Sequence, residues 1–177
     1  TLFAACLELV RRGLPFRLAL SGPGIGMFAG KQPLPHPGRE QVRAFFRRHR
    51  DALEGHVHFA SDLKPSEVAE MYACSGCAVL PSEYEGFGLP LLEALFAGCD
   101  AICSKIPAFL EQLDRYGAHD AVVTVPPRSP EALADAMARW LENRPHPRRD
   151  RSFLVARWTW DDTADACVAA LRSASER

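Results

Sequence analysis

Residues 77–98 constrain this chain more than any other stretch. Cys77-Ala78-Val79-Leu80 is a short apolar run with the length of a buried strand. Pro81 and Ser82 end it, and Gly86 and Gly88 leave two positions of the following loop without side chains. Pro90 suits the first turn of a helix, where its missing N–H is no loss. Leu91, Leu92, Leu95 and Phe96 then recur at the spacing of a buried helix face, and Gly98 stops the helix. Strand, glycine loop and helix N-terminus therefore follow one another directly.

That order suits an anion. The N–H groups of a first helical turn carry the positive end of the helix dipole, and glycines let a phosphate approach the backbone. Two carboxylates flank the loop: Glu85 within it and Glu93 about one turn into the helix. Carboxylates do not bind phosphate, but they accept hydrogen bonds from sugar hydroxyls. Sugars on both sides of a diphosphate describe a nucleotide-sugar. The blander alternative is a solvated helix start, at which two acidic residues merely favour the dipole.

Elsewhere the chain alternates strands and helices. Thr1 to Gly13 reads as a helix with Leu2, Ala5, Cys6, Leu9 and Val10 on one face. Phe16 to Leu20 reads as a strand, and Ser21 to Gly26 as a glycine-rich loop. Lys31 to Gly38 holds three prolines and reads as irregular. Arg39 to Leu53 reads as one amphipathic helix, with Val42, Phe45 and Phe46 inward and Arg43, Arg47, Arg48 and Arg50 on a solvated face. His56 to Phe59 is a short strand with His58 outward; a helix opening at Pro65 presents Val68, Met71 and Tyr72 to the core. Beyond the central stretch, Ala101–Ser104 and Ala121–Val125 read as strands, and Ala108–Asp114 and Glu131–Glu142 as helices, the latter capped by Ser129. Asn143 to Arg149 is a Pro- and Arg-rich loop, and Ala164, Cys167, Val168 and Leu171 form the apolar stripe of a final helix. Five such alternations specify an α/β domain with a parallel sheet and right-handed crossovers.

Composition narrows the classes. A length of 177 residues suits one domain with its own core. A net charge of −1 gives no sign of nucleic-acid binding, and no membrane association is evident. No apolar run reaches the roughly 18 residues of a spanning helix, and no signal peptide opens the chain. The absence of an initiator Met suggests a piece of something longer. Cys74 and Cys77 followed by Cys99 and Cys103 have a spacing that a zinc site can use. Each lies in or beside an apolar segment, so they are read as buried, unbridged thiols of a reducing cytoplasm, with no metal.

Glu85-Gly86-Phe87-Gly88-Leu89-Pro90-Leu91-Leu92-Glu93 resembles the E-x7-E signature of retaining, GT-B-fold glycosyltransferases, and most closely that of glycosyltransferase family 4 (glycosyl transferases group 1). The positions between the glutamates match in kind, including both glycines and the proline. Thr159-Trp160 is similar to the pair that precedes the family's last helix. Four positions depart from the pattern: Ser61 stands where a glycine is usual, and Asp100 where a Gly-x-Pro turn ends. Pro107-Ala108 replaces a Pro-Glu pair, and Ser129 takes an acidic place.

The resemblance implies a Rossmann-like parallel sheet flanked by helices, the C-terminal half of a GT-B fold. Residues 1–177 would form a single nucleotide-sugar-binding domain. The acceptor domain would lie before Thr1, as would this domain's central first strand with its phosphate-neutralising Arg and Lys. By the same carry-over Glu85 contacts the donor sugar at the catalytic centre. Gly86, Phe87, Gly88 and Leu89 present backbone to sugar and phosphate, and Glu93 holds ribose hydroxyls. Gly22 and Gly24 belong to the glycine-rich turn after the second strand. No cofactor or metal is implied; a UDP-, GDP- or ADP-sugar is the donor substrate, and the acceptor is a glycan, lipid or small molecule. The activity implied is retaining hexosyl transfer, lost in this domain alone. The alternatives are a nucleotide-sugar-binding module and an epimerase-like enzyme of the same fold.

Overall fold

A computed structural model of the chain describes residues 1–22, 25, 37–143, 151, 154 and 159–175. Helix α1 (Leu2–Arg11) ends at Gly13, whose φ of 70° lies in the left-handed region. Strand β1 (Leu18–Ser21) follows. Helices α2 (Pro37–Arg48) and α3 (Arg50–Leu53) precede β2 (Val57–Ala60). Next come α4 (Pro65–Cys74), β3 (Cys77–Leu80), α5 (Leu89–Phe96) and β4 (Asp100–Ser104). The chain continues through α6 (Pro107–Tyr116), β5 (Val122–Val125), α7 (Pro130–Glu142) and α8 (Trp160–Ser175).

All strand pairs are parallel, as the alternation requires. They form two sheets, β1-β2 and β3-β4-β5. The larger sheet is covered on both faces, and β4 shows how: Ala101 and Cys103 point into a core with Leu91, Leu95, Phe109 and Leu113 of α5 and α6, while Ile102 between them joins the core under α1 and α7. Alternation with period two thus serves two apolar layers. Truncating one fully buried leucine in either layer costs about 2–5 kcal/mol. An ion pair at 2.7 Å between Arg12 and Asp135 adds a surface link between α1 and α7.

Three expectations are corrected. The helix expected over 39–53 breaks at His49, and its first half is turned: Val42 is 41% exposed, whereas Arg43 is only 4% exposed. The guanidinium of Arg43 pairs with Glu40 one turn earlier, which lets the arginine stem pack inward. Val68, Met71 and Tyr72 of α4 are half-buried rather than core residues, and they line a cavity. The stripe on α8 does not join the core: Cys167, Val168 and Leu171 are all exposed. Thr159 and Asp162 cap that helix reciprocally, side chain to backbone N–H in both directions. The expected 144–149 loop lies outside the described residues.

The edges of β1 and β3 that face each other have no strand partner among the described residues. Between them runs a cavity of about 870 Å³, lined by residues 15–22 on one side and 75–80 on the other, with Met71 and Tyr72 of α4 and Trp140 and Leu141 of α7. From this gap successive strands step outward in opposite directions, β1 to β2 and β3 to β5. Such a point of reversal, at the carboxyl ends of the strands, is where α/β folds bind ligands.

Candidate functional site

The loop between β3 and α5 stands at that point. Gly88 is the N-cap of α5, in the left-handed region at φ 86° and ψ 33°. A Cβ at Gly88 would lie 3.0 Å from Cδ1 and 3.1 Å from Cε1 of Phe109, so both conformation and packing require glycine there. Gly86 differs. Its φ lies outside the left-handed region, and a Cβ there would meet nothing within 4 Å.

The backbone of this loop is rich in unused donors. Pro90 has no N–H, and that of Leu91 is bonded to the Gly88 carbonyl at 3.0 Å. The N–H groups of Gly86, Phe87, Gly88 and Leu89 have no partner among the described residues. The donors expected from the first helical turn are therefore shifted one step back, into the loop.

Each carboxylate has a hydroxyl neighbour. The Ser82 hydroxyl donates to Glu85 Oε1 at 2.7 Å, and Glu85 is half-buried. Tyr72 and the Glu93 carboxylate line the same cavity wall; burial first, and then that carboxylate, push the Tyr72 hydroxyl up to about 12. Glu93 and Gly22 line the same cavity, with Pro90 and Tyr72. Glu85 does not line it, and Gly24 lies outside the described residues.

Two further contacts steady the loop. Gln112 Nε2 donates to the Phe87 carbonyl at 2.8 Å from below. On the surface, Arg128 pairs with Glu83 at 2.7 Å, which lowers the Glu83 carboxyl and ties the loop to the turn before α7. Tyr84, Phe87 and Leu89 point outward, Tyr84 with 85% of its surface exposed. At the other end of β4, Asp100 accepts from Arg151 at 2.7 Å and from Trp140 Nε1 at 3.4 Å. An ion pair to a chain segment 51 residues away thus occupies the place where the proline was expected.

Sequence reading missed Tyr72, Ser82, Gln112 and Arg151. Only Ser82 carried a local signal, standing three residues before Glu85; the others act across 21 to 51 residues of chain, beyond any motif. The cysteines are unbridged, with Cys99 and Cys103 buried, Cys77 half-buried and Cys74 exposed. Among the described residues no helix is long and apolar enough to cross a membrane.

Parallel strands sandwiched by helices, a reversal of strand order and a glycine-capped helix at the strands' carboxyl ends together define a Rossmann-like α/β class. The sequence profile of glycosyl transferases group 1 matches residues 12–152, and the chain belongs to that family. It is 31% identical over 125 residues to the MMP alpha-(1->4)-mannosyltransferase of Mycolicibacterium hassiacum, covering 68% of this chain and 30% of that protein. It is 30% identical over 121 residues to the serotype-specific mannosyltransferase WbdA of Escherichia coli, covering 67% of this chain and 14% of that protein. The chain thus spans less than a third of either relative. Sucrose-phosphate synthase from Thermosynechococcus elongatus shares the GT-B-type fold, with a TM-score of 0.70 at 22% identity over 98% of this chain and 42% of that one.

Proposed function

We propose that residues 1–177 are the donor-binding half of a retaining hexosyltransferase and hold a nucleoside diphosphate sugar over the β3–α5 loop. The observation that carries this reading is the row of unpartnered N–H groups from Gly86 to Leu89, beside Glu93 at the rim of the cavity. Charge that develops on a departing diphosphate falls on those donors and on the positive end of α5. Glu93 accepts from ribose hydroxyls, with Tyr72 setting its direction. Glu85, held by Ser82, faces the donor sugar. Gly22, which follows β1, lines the opposite side of the cavity. Gly86 supports the reading, since neither conformation nor packing explains its missing side chain.

The cavity between β1 and β3 has apolar walls and two open parallel edges, which suits a further strand. The strand expected before Thr1 would fill its length and bring basic residues to the loop. The acceptor then binds to a separate, preceding domain. Mannose leads among the candidate sugars, because two relatives are mannosyltransferases. The buried Cys6, Cys99 and Cys103 serve packing rather than metal binding, and unbridged thiols suit a reducing cytoplasm.

Thermal shift of the natural full-length protein with UDP-, GDP- and ADP-sugars tests the proposal. One nucleotide class is expected to raise Tm; a ligand at a hundred times its Kd adds about 2.7 kcal/mol. Glu93→Gln, by lowering affinity about tenfold, is expected to remove about half of that gain. No shift with any of the sugars would refute the reading.

A further inference from the structure

Gln112 lies on α6 beneath the candidate loop, 1% exposed. Its neighbours along the same helix face, Phe109, Leu113 and Tyr116, are buried and apolar or aromatic. Its Nε2 donates to the Phe87 carbonyl at 2.8 Å. Because that carbonyl can only accept, the amide orientation is fixed, and Oε1 must take the other side. There Oε1 is buried with no partner among the described residues. A buried, unpaired acceptor weakens folding, whereas an apolar side chain of similar shape would not. The chain therefore keeps a polar residue at a stability cost, and its bond ends on the backbone of the donor loop.

We propose that Gln112 is a positioning residue for the donor site, resting on the function proposed above. In a trans peptide unit the C=O and N–H point in opposite directions. Phe87 C=O and Gly88 N–H belong to one such unit. Drawing the carbonyl down to Gln112 therefore aims the Gly88 N–H away from α6, on the side where a diphosphate approaches. The Gln112 stem also underlies Gly88: its Cγ lies 3.9 Å from where a Cβ on that residue would stand. Gln112 thus fixes the loop from one side only, and leaves the other side to the ligand.

The test uses Gln112→Met and Gln112→Leu in the natural full-length protein. Three quantities are read: Tm, calorimetric affinity for UDP, GDP, ADP, UDP-glucose, ADP-glucose and GDP-mannose, and amide exchange in the segment 82–95. The expected result is a Tm unchanged or raised by roughly 2–4 °C, affinity lowered about tenfold, and faster exchange at Gly88 to Leu91. A lowered Tm with affinity intact would make Gln112 merely structural and overturn the proposal. So would wild-type exchange and affinity in both variants, while the donor site itself stood. Failure of the unaltered protein to bind any of the six probes would overturn the proposed function and the role of Gln112 with it.

Discussion

Gly86 and Gly88 are two residues apart, yet the same substitution should act on them in opposite ways. At Gly88, alanine must adopt φ 86°, which costs an L-residue about 1–2 kcal/mol. Its Cβ would also stand 3.0 Å from the fully buried ring of Phe109, and overpacking of this kind costs about 1–3 kcal/mol. Gly88→Ala should therefore lose about 3 kcal/mol and roughly 6–12 °C in Tm. At Gly86 the new methyl meets nothing within 4 Å, and the backbone lies outside the left-handed region. Gly86→Ala should leave Tm unchanged or slightly raised, because the unfolded chain loses freedom. The methyl nevertheless stands where a phosphate approaches the backbone, and a clash of about 1–3 kcal/mol lowers affinity ten- to hundredfold. Differential scanning calorimetry and titration with nucleoside diphosphate read the two effects separately. A destabilised Gly86→Ala variant, or one with unaltered affinity, would refute the assignment of Gly86 to ligand approach.

Three other expectations are open to measurement. Glu93→Gln should lower affinity for the bare nucleoside diphosphate about tenfold or more, and Tyr72→Phe should do so less. Glu85→Gln should lower turnover with that affinity nearly intact, and equal losses in the two glutamate variants by calorimetric titration would erase the division of labour. The isolated 177-residue chain should transfer no sugar to any acceptor in a radiolabel assay; detectable transfer would contradict its reading as a half-enzyme. Burial pushes the Cys6 and Cys103 thiols from 9.0 up to about 12, and Tyr72 rises from 10.0 to about 12 through burial and Glu93. Raised folded-state values favour the neutral forms, so that stability is whole below about pH 9 and is lost as the pH climbs towards 12. Urea midpoints measured from pH 8 upward should fall over that window; a flat profile would mean the thiols titrate as if exposed.

Local rules made the central stretch legible. An apolar run, two glycines, a proline and a leucine face are each a short-range signal, and they agree from β3 through α5. The same holds for the Ser129 cap of α7, where the hydroxyl accepts from the Ala132 N–H at 3.4 Å. What escaped depends on partners distant in sequence. Arginine at 43 looks solvated by type, yet its pairing with Glu40 and its long stem let it replace Val42 on the inner face. Periodicity marked the α8 stripe correctly as apolar, but no pattern says whether a helix face finds a partner. The hold of Gln112 on Phe87 spans 25 residues and has no signature, because glutamine on a helix is usually exposed. The division into two sheets follows from pairing across strands, which single-strand patterns do not contain.

The most direct test is a crystal structure of the natural full-length protein with bound nucleoside diphosphate. The expected complex has diphosphate oxygens about 2.7–3.2 Å from N–H groups of the segment Gly86 to Leu89, and ribose hydroxyls on the Glu93 carboxylate beside Tyr72. A nucleotide seated elsewhere, with that row of donors facing only solvent, would contradict the account.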